Sequence, residues 1–193
     1  MKNREDDLES GDASIGQMTT RRVYTGRVVS LDVDTVRFPN GVTGELEMIR
    51  HSGASAVVPV LEVPGEPTKV LLIRQYRYAA EGFLYEIPAG RLEPGETPEN
   101  CAKRELQEET GYSAGRLVAM TSIYTTPGFT DEIIHLFLAD NLALGKLALE
   151  SDEILELKAV QISEALELIR TGEIQDGKTI CALLFAALFR NIK

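Results

Sequence analysis

The chain has no tryptophan, and only two cysteines and two histidines among its 193 residues. Cys101 and Cys181 supply neither a disulfide framework nor a Cys-x-x-Cys pair, and His51 and His135 stand in unrelated segments. A metal site built on thiolates or imidazoles is therefore not expected. Positive charge is also scarce. Twenty Lys and Arg face thirty Asp and Glu, for a formal net charge of −10, which argues against a broad basic surface for nucleic acid. No uncharged apolar run reaches the roughly 18 residues of a membrane span. The longest, CALLFAALF near the C-terminus, has the length of a core helix. The apolar stretch of a secretory leader is absent too, so the expectation is a cytoplasmic protein in reducing surroundings, with no membrane partner. A chain this acidic holds an anionic substrate only where arginines or bound cations reverse the local field.

What is present organises itself into three parts. Residues 1–20 are polar and without periodicity and read as a disordered tail. Residues 21–52 read as a small antiparallel sheet. VYTGRVVSL and DVDTVRF are rich in β-branched residues, Pro39, Asn40 and Gly41 make a tight turn, and GELEMIR alternates after it. Three such strands are marginal alone and need a cover. Residues 53–193 form the main domain. SAVVPVLEV and TKVLLIRQYR are apolar enough to be buried on both faces. LYEIPAG, RLVAMTSIY, EIIHLFLAD and ILELKAVQ add strands, and two helices close the chain, the first with Ser163 as N-cap and Gly172 as its stop. This order predicts an α+β fold, a mixed sheet with helices packed on it.

The segment GRLEPGETPENCAKRELQEETGY, residues 90–112, is dense in glutamate and framed by glycines. Thr97 is a good N-cap, Pro98 suits the first helical position and Gly111 the position after the last turn, so a helix is predicted over 98–110. At about 100° per residue Glu105, Glu108 and Glu109 share one face. Three carboxylates so placed repel one another, and Arg104 relieves only part of this. A divalent cation would relieve more, and all-oxygen ligands suit Mg²⁺ or Mn²⁺.

The spacing of Gly90, Glu96, Arg104, Glu105, Leu106, Glu108, Glu109 and Gly111 resembles the signature of the Nudix hydrolases, with Tyr112 a mild departure at its last apolar position. The resemblance implies the Nudix fold, with a loop-helix-loop that holds divalent cations on a diphosphate. It implies Glu105 and Glu109 as principal metal ligands, Glu108 as a further one, the carbonyl of Ala89 as another, and Arg104 and Glu96 as a bracing pair. Beyond that segment, RQYR, EIPAG, YTTPGFTDE with Pro127 and Gly128, and GEIQDGKT resemble the ADP-ribose pyrophosphatase branch. That branch implies hydrolysis of ADP-ribose to AMP and ribose 5-phosphate by a homodimer whose N-terminal sheet is swapped between subunits.

Further roles follow from the same resemblance. Arg77 is expected to contact substrate, Arg50 to do so across the dimer, and Glu86 to accept a bond from the adenine amino group or a ribose. Glu153 is the first choice for general base, with Asp152 and Glu150 as alternates and Glu108 as competitor. Other readings stay open: another nucleoside diphosphate sugar or dinucleotide such as GDP-mannose or NADH, or a non-catalytic module that senses ADP-ribose.

Overall fold

The computed structural model of the chain describes residues 15–145, 155–190 and 192. It divides into two compact units. One takes in the described residues up to His51 together with Thr126–Asp131, and the other takes in Ser52–Thr125 and the described residues from Glu132 on.

The smaller unit is an antiparallel sheet of β1 (Gly16–Thr25), β2 (Ser30–Arg37) and β3 (Thr43–Arg50), in that spatial order. Two details differ from the expectation. VYTGRVVSL is not one strand. The chain turns within it, the Gly26 amide donating to the Val29 carbonyl at 2.9 Å. Residues 16–20, expected as tail, already pair in β1. Their threonines are β-branched and suit an edge strand, but a polar edge carries no hydrophobic period. The turn after β2 is where the sequence puts it, with Gly41 at φ +82° and its amide bonded to the Phe38 carbonyl. The segment Thr126–Asp131 joins this unit along β3. The Ile49 amide donates to the Phe129 carbonyl at 2.8 Å, and the Asp131 carboxylate accepts from the His51 amide at 2.9 Å.

The larger unit is built on a sheet in the order β10-β5-β4-β9-β8, comprising β4 (Ala54–Leu61), β5 (Lys69–Arg77), β8 (Tyr112–Tyr124), β9 (Ile133–Leu144) and β10 (Leu155–Gln161). β4 runs parallel to β9, and the other pairs on this path are antiparallel. β6 (Gly82–Glu86) pairs with the second half of β5, and β7 (Ala89–Arg91) with the first half of β4. Seven of the eight β4 residues are buried because helices cover both faces. Alternation sends Ala54, Ala56, Val58 and Val60 to one side. There they meet Ala165 and Leu168 of α2 (Ile162–Thr171) and Ala182, Leu183 and Ala186 of α3 (Gly177–Phe189). Val57 faces the other side, against Ala102 and Leu106 of α1 (Pro98–Thr110) and Phe137 and Ala139 of β9. This is the sandwich predicted from the sequence. The expectation fails for the second half of β5, where burial ends after Ile73.

Helix α2 begins two residues earlier than its expected cap allows. Gln161 is the N-cap, without a side-chain bond, and Ser163 lies inside the first turn. β10 runs directly into the helix, so no loop is left for a capping serine. Gly172 ends α2 at φ +80°, as the sequence predicts. Among the described residues no helix is long and apolar enough to cross a membrane.

One buried bond anchors α3 beneath the sheet end that carries the candidate site. The Thr179 hydroxyl, fully buried, accepts from the Ile87 amide at 2.9 Å and donates to the N-cap Asp176 at 2.6 Å. Thr179→Val keeps the shape and leaves the Ile87 amide without that acceptor. Urea unfolding should show a loss of about 1–3 kcal/mol. A change within experimental error would mean that the Ile87 amide has another acceptor at hand.

Candidate active site

Helix α1 is set by its ends. The Thr97 hydroxyl accepts from the Asn100 amide at 3.3 Å, Pro98 occupies the first position, and Gly111 at φ +74° closes the last turn through the Gln107 carbonyl. At the first turn, Ser55 of β4 donates to the Pro98 carbonyl at 2.8 Å. Buried Ala102 and Leu106 seat one face on the sheet. That fixes the rotation of the glutamates. Glu105 and Glu109 are 7% and 2% exposed, unusual burial for carboxylates.

Each buried carboxylate has a defined seat. Glu105 lies against the backbone of Gly90 so closely that a Cβ there would come within 1.8 Å of its Oε1. No larger residue fits at 90 with Glu105 in place. Glu109 accepts from the Ala89 amide at 2.9 Å. Arg104 ties the loop to the helix. It grips Glu96 with two bonds of 2.9 Å, donates to the Arg91 carbonyl at 3.0 Å, and its Nη1 reaches both Glu105 and Glu108, the latter at 3.0 Å. Its guanidinium holds the Glu96 carboxyl at a pKa of about 2, well below the usual range. Cys101 also serves the loop, its Sγ lying 3.4 Å from the Gly90 and Arg91 carbonyls, and burial pushes the thiol up to about 11. It is a packing residue and not a nucleophile.

A second charged group joins β5, β6 and the start of α3. Glu86, 1% exposed, accepts two bonds from Arg77, at 2.7 and 2.8 Å, and one from Lys178. Lys178 also pairs with Asp176 at 3.0 Å. Burial pushes the Glu86 carboxyl up, but Arg77 and Lys178 outweigh it and leave it below the ordinary range. The Arg77 pKa is raised by Glu86 first, and also by the charges of Glu109 and Asp176, so the two groups share one field. Lys178 is a site residue that the sequence expectations omit. Its signal is the Asp176-Gly-Lys-Thr run, which sets a capping carboxylate and a cation at one helix start.

The structure thus brings Arg77, Glu86, Ala89, Glu96, Arg104, Glu105, Glu108 and Glu109 into one unit. Arg50, Pro127 and Gly128 belong to the other. Arg50, expected at the substrate, has all three guanidinium nitrogens engaged: Nε with Asp32 at 3.1 Å, Nη1 with Asp131 at 3.3 Å, and Nη2 with Asp34. Asp32 is shared with Arg22, and both aspartates are buried. Within this unit Arg50 thereby ties the 126–131 segment to its sheet. Glu153, Asp152 and Glu150 lie outside the described residues.

The donor set fits a divalent cation. Glu105, Glu108, Glu109 and the Ala89 carbonyl are hard oxygens, the kind Mg²⁺ and Mn²⁺ take. Among the described residues no three such side chains already converge on one point. The glutamates are held by Arg104 and the Ala89 amide, and the donor chemistry carries the fit. A cavity of about 390 Å³ lies toward the other end of β4, beside Val60, Arg116, Asp140 and Arg190. Its Arg116 and Asp140 pair with each other, and it includes none of the residues above.

A sequence model of the NUDIX domain family matches residues 51–183. The chain is 41% identical to an ADP-ribose pyrophosphatase of Bacillus subtilis (strain 168) over 169 residues, 86% of this chain and 89% of that protein. It is 42% identical to a methanol dehydrogenase activator of Bacillus methanolicus over 176 residues, 90% and 93% of the two chains. It is also 42% identical to a GDP-mannose pyrophosphatase of Escherichia coli O139:H28 over 152 residues, 71% and 78%. A solved structure described as an ADP compounds hydrolase superposes with a TM-score of 0.78 over 92% of this chain and 95% of that one. At 22% identity that likeness speaks for the fold.

The Glu96–Arg104 pair makes a pH-dependent contribution with a definite sign. A carboxyl lowered from 4.5 to about 2 stabilises the fold fully above its unfolded value, and the contribution is lost as pH falls toward 2. Glu96→Gln should therefore be less stable than wild type by a constant amount at about pH 5–8, with the gap closing as pH drops from about 4.5 to 2. Urea titrations across that range check it. A gap independent of pH would mean that the charge of Glu96 contributes nothing.

Proposed function

This chain belongs to the NUDIX domain family, and from that premise we propose that it hydrolyses ADP-ribose to AMP and ribose 5-phosphate with Mg²⁺ or Mn²⁺. The observation that carries the reading is the pair of buried carboxylates, Glu105 and Glu109, seated on the backbone of Gly90 and Ala89 within the field of Arg77. Holding two carboxylates this close together and out of water is costly, and a bound cation offsets that cost.

The reaction is attack of water on phosphorus, in line with a phosphate leaving group. When bound, the cation supplies charge neutralisation on the diphosphate and acidification of the attacking water. The chain supplies position. Glu105, Glu109, Glu108 and the Ala89 carbonyl are the ligands, and Arg104 and Glu96 lock the loop to the helix behind them. Arg77 spends Nε and Nη2 on Glu86 and is 41% exposed, which leaves Nη1 for a phosphate or ribose oxygen. Glu86 holds Arg77 and Lys178 in place and remains a candidate acceptor for a ribose or adenine donor. Glu153 is the first choice to take the proton of the attacking water, with Asp152, Glu150 and Glu108 as alternates.

Two further features support the branch. The relatives named for ADP-ribose and for methanol dehydrogenase activation match over 86% and 90% of this chain, that named for GDP-mannose over 71%. The smaller sheet, expected over residues 21–52, is proposed as the element exchanged in a homodimer. Asp34 Oδ1 and Arg37 Nε are buried there without partners among the described residues, and Val23, Tyr24 and Val42 are exposed. A second subunit would cover the exposed side chains. The proposed location remains the cytoplasm.

A panel of ADP-ribose, GDP-mannose, NADH and related diphosphates, with Mg²⁺ or Mn²⁺ and products identified by chromatography, tests the reading. AMP and ribose 5-phosphate should come from ADP-ribose fastest. Glu109→Gln should lower kcat/KM by at least about a hundredfold, since even groups behind a metal ligand are worth 10- to 100-fold. Glu153→Gln should lower kcat while leaving metal affinity unchanged. Preferred cleavage of GDP-mannose would reassign the substrate, and binding without turnover of any compound would make the protein a sensing module.

A further inference from the structure

Gln75 is out of place in its surroundings. It lies in the second half of β5, with Leu155 of β10 as its backbone partner on one side and Leu84 of β6 on the other. Along one face of β5 run Ile73, Gln75 and Arg77, joined by Leu84 and Glu86 of β6. Between Ile73 and Leu84 an apolar side chain would pack without penalty. The chain has instead a carboxamide whose Oε1 is buried and has no hydrogen-bond partner among the described residues. A buried polar atom with no partner costs free energy, and none of the described residues offsets that cost.

Its position explains why such a group would be kept. Arg77 pairs with Gly82 and Glu86 with Ile73, so the two charged residues sit four positions apart along the ladder, about 13 Å. Their side chains nevertheless meet at 2.7 and 2.8 Å. The ion pair therefore closes across the rung occupied by Gln75 and Leu84, and Gly82, with no side chain, leaves the Arg77 end open. The orphaned acceptor belongs to the same strand face as the arginine assigned above to the substrate.

We propose that Gln75 is a specificity-determining residue whose carboxamide accepts a hydrogen bond from a hydroxyl or amino group of the nucleoside diphosphate sugar held beside Arg77. The inference rests on the hydrolase reading above. It adds a neutral, directional contact to a site otherwise made of charges. Two parts of such a substrate carry the right donor: the ribose hydroxyls and the exocyclic amino group of adenine.

The test is Gln75→Met, which keeps length and removes the acceptor, with Gln75→Leu as a second apolar variant. KM for ADP-ribose should rise about five- to tenfold, the worth of one hydrogen bond, with kcat within about twofold of wild type. Thermal stability should stay equal or rise, because an unpaired buried dipole is gone. IDP-ribose, which lacks the amino group, separates the two donors. If the variants lose affinity for both substrates equally, the partner is a ribose hydroxyl; if they lose it for ADP-ribose alone, it is the adenine amino group. Wild-type turnover with an unchanged KM in Gln75→Met, or loss of folding in both variants, would overturn the proposal and make Gln75 structural. Absence of turnover in the wild type would instead fell the hydrolase reading, and this inference with it.

Discussion

The Arg104 guanidinium is the contact on which the rest of the site depends. It faces an electrostatic problem that α1 cannot solve alone: three glutamates on one side of a helix, two of them buried. By bonding Glu96 and the Arg91 carbonyl as well as Glu105 and Glu108, one planar cation fastens the loop before the helix and screens the carboxylates after it. Its several donors in a fixed fork make this possible, and a lysine at 104 could not hold both Glu96 oxygens and the helix glutamates together. The close approach of Glu105 to Gly90 follows from the same clamp. Once the loop is drawn onto the helix, the backbone at 90 has no space for a Cβ.

Glu86 repeats the arrangement with the signs reversed. One buried carboxylate organises two cations from separate elements, Arg77 of β5 and Lys178 of α3. The Ile87–Thr179 bond lies beside it and holds α3 at the same place. Glu86 is buried and needs its cations, while Arg77 keeps one side toward solvent, so the charge around Arg77 is held in place by the buried partner. Such placement matters in phosphoryl transfer, where positioning and charge neutralisation supply most of the effect.

Features encoded by close neighbours along the chain are legible in the sequence. Thr97, Pro98 and Gly111 bound α1 to the residue, the apolar run of β4 predicts helices on both faces, and the Pro39-Asn40-Gly41 turn lies at its expected place. What is not legible there is polar or long-range. The start of β1 has no hydrophobic period, and the early start of α2 comes from a strand that leaves no room for a loop. Lys178 meets Glu86 across 92 residues, and Arg50 meets Asp131 across 81. No local pattern announces such pairs. For Arg50 the carboxylates that surround it come from β2 and from the 126–131 segment, so its pairing is not visible in its own stretch of sequence.

Those pairings bear on how an acidic protein takes up an anion. Around the two charged groups the structure sets six carboxylates, Glu86, Glu96, Glu105, Glu108, Glu109 and Asp176, against three cations, Arg77, Arg104 and Lys178. Every one of the three cations is already bonded to a carboxylate. The side chains alone therefore present a negative field, in keeping with the net charge of −10, and a diphosphate approaching them is repelled. A divalent cation bound to the helix glutamates would add positive charge at the place where the diphosphate must sit. The surplus of glutamate on α1 thus has a use beyond folding: the same carboxylates that burden the helix with negative charge are the oxygens a divalent cation takes.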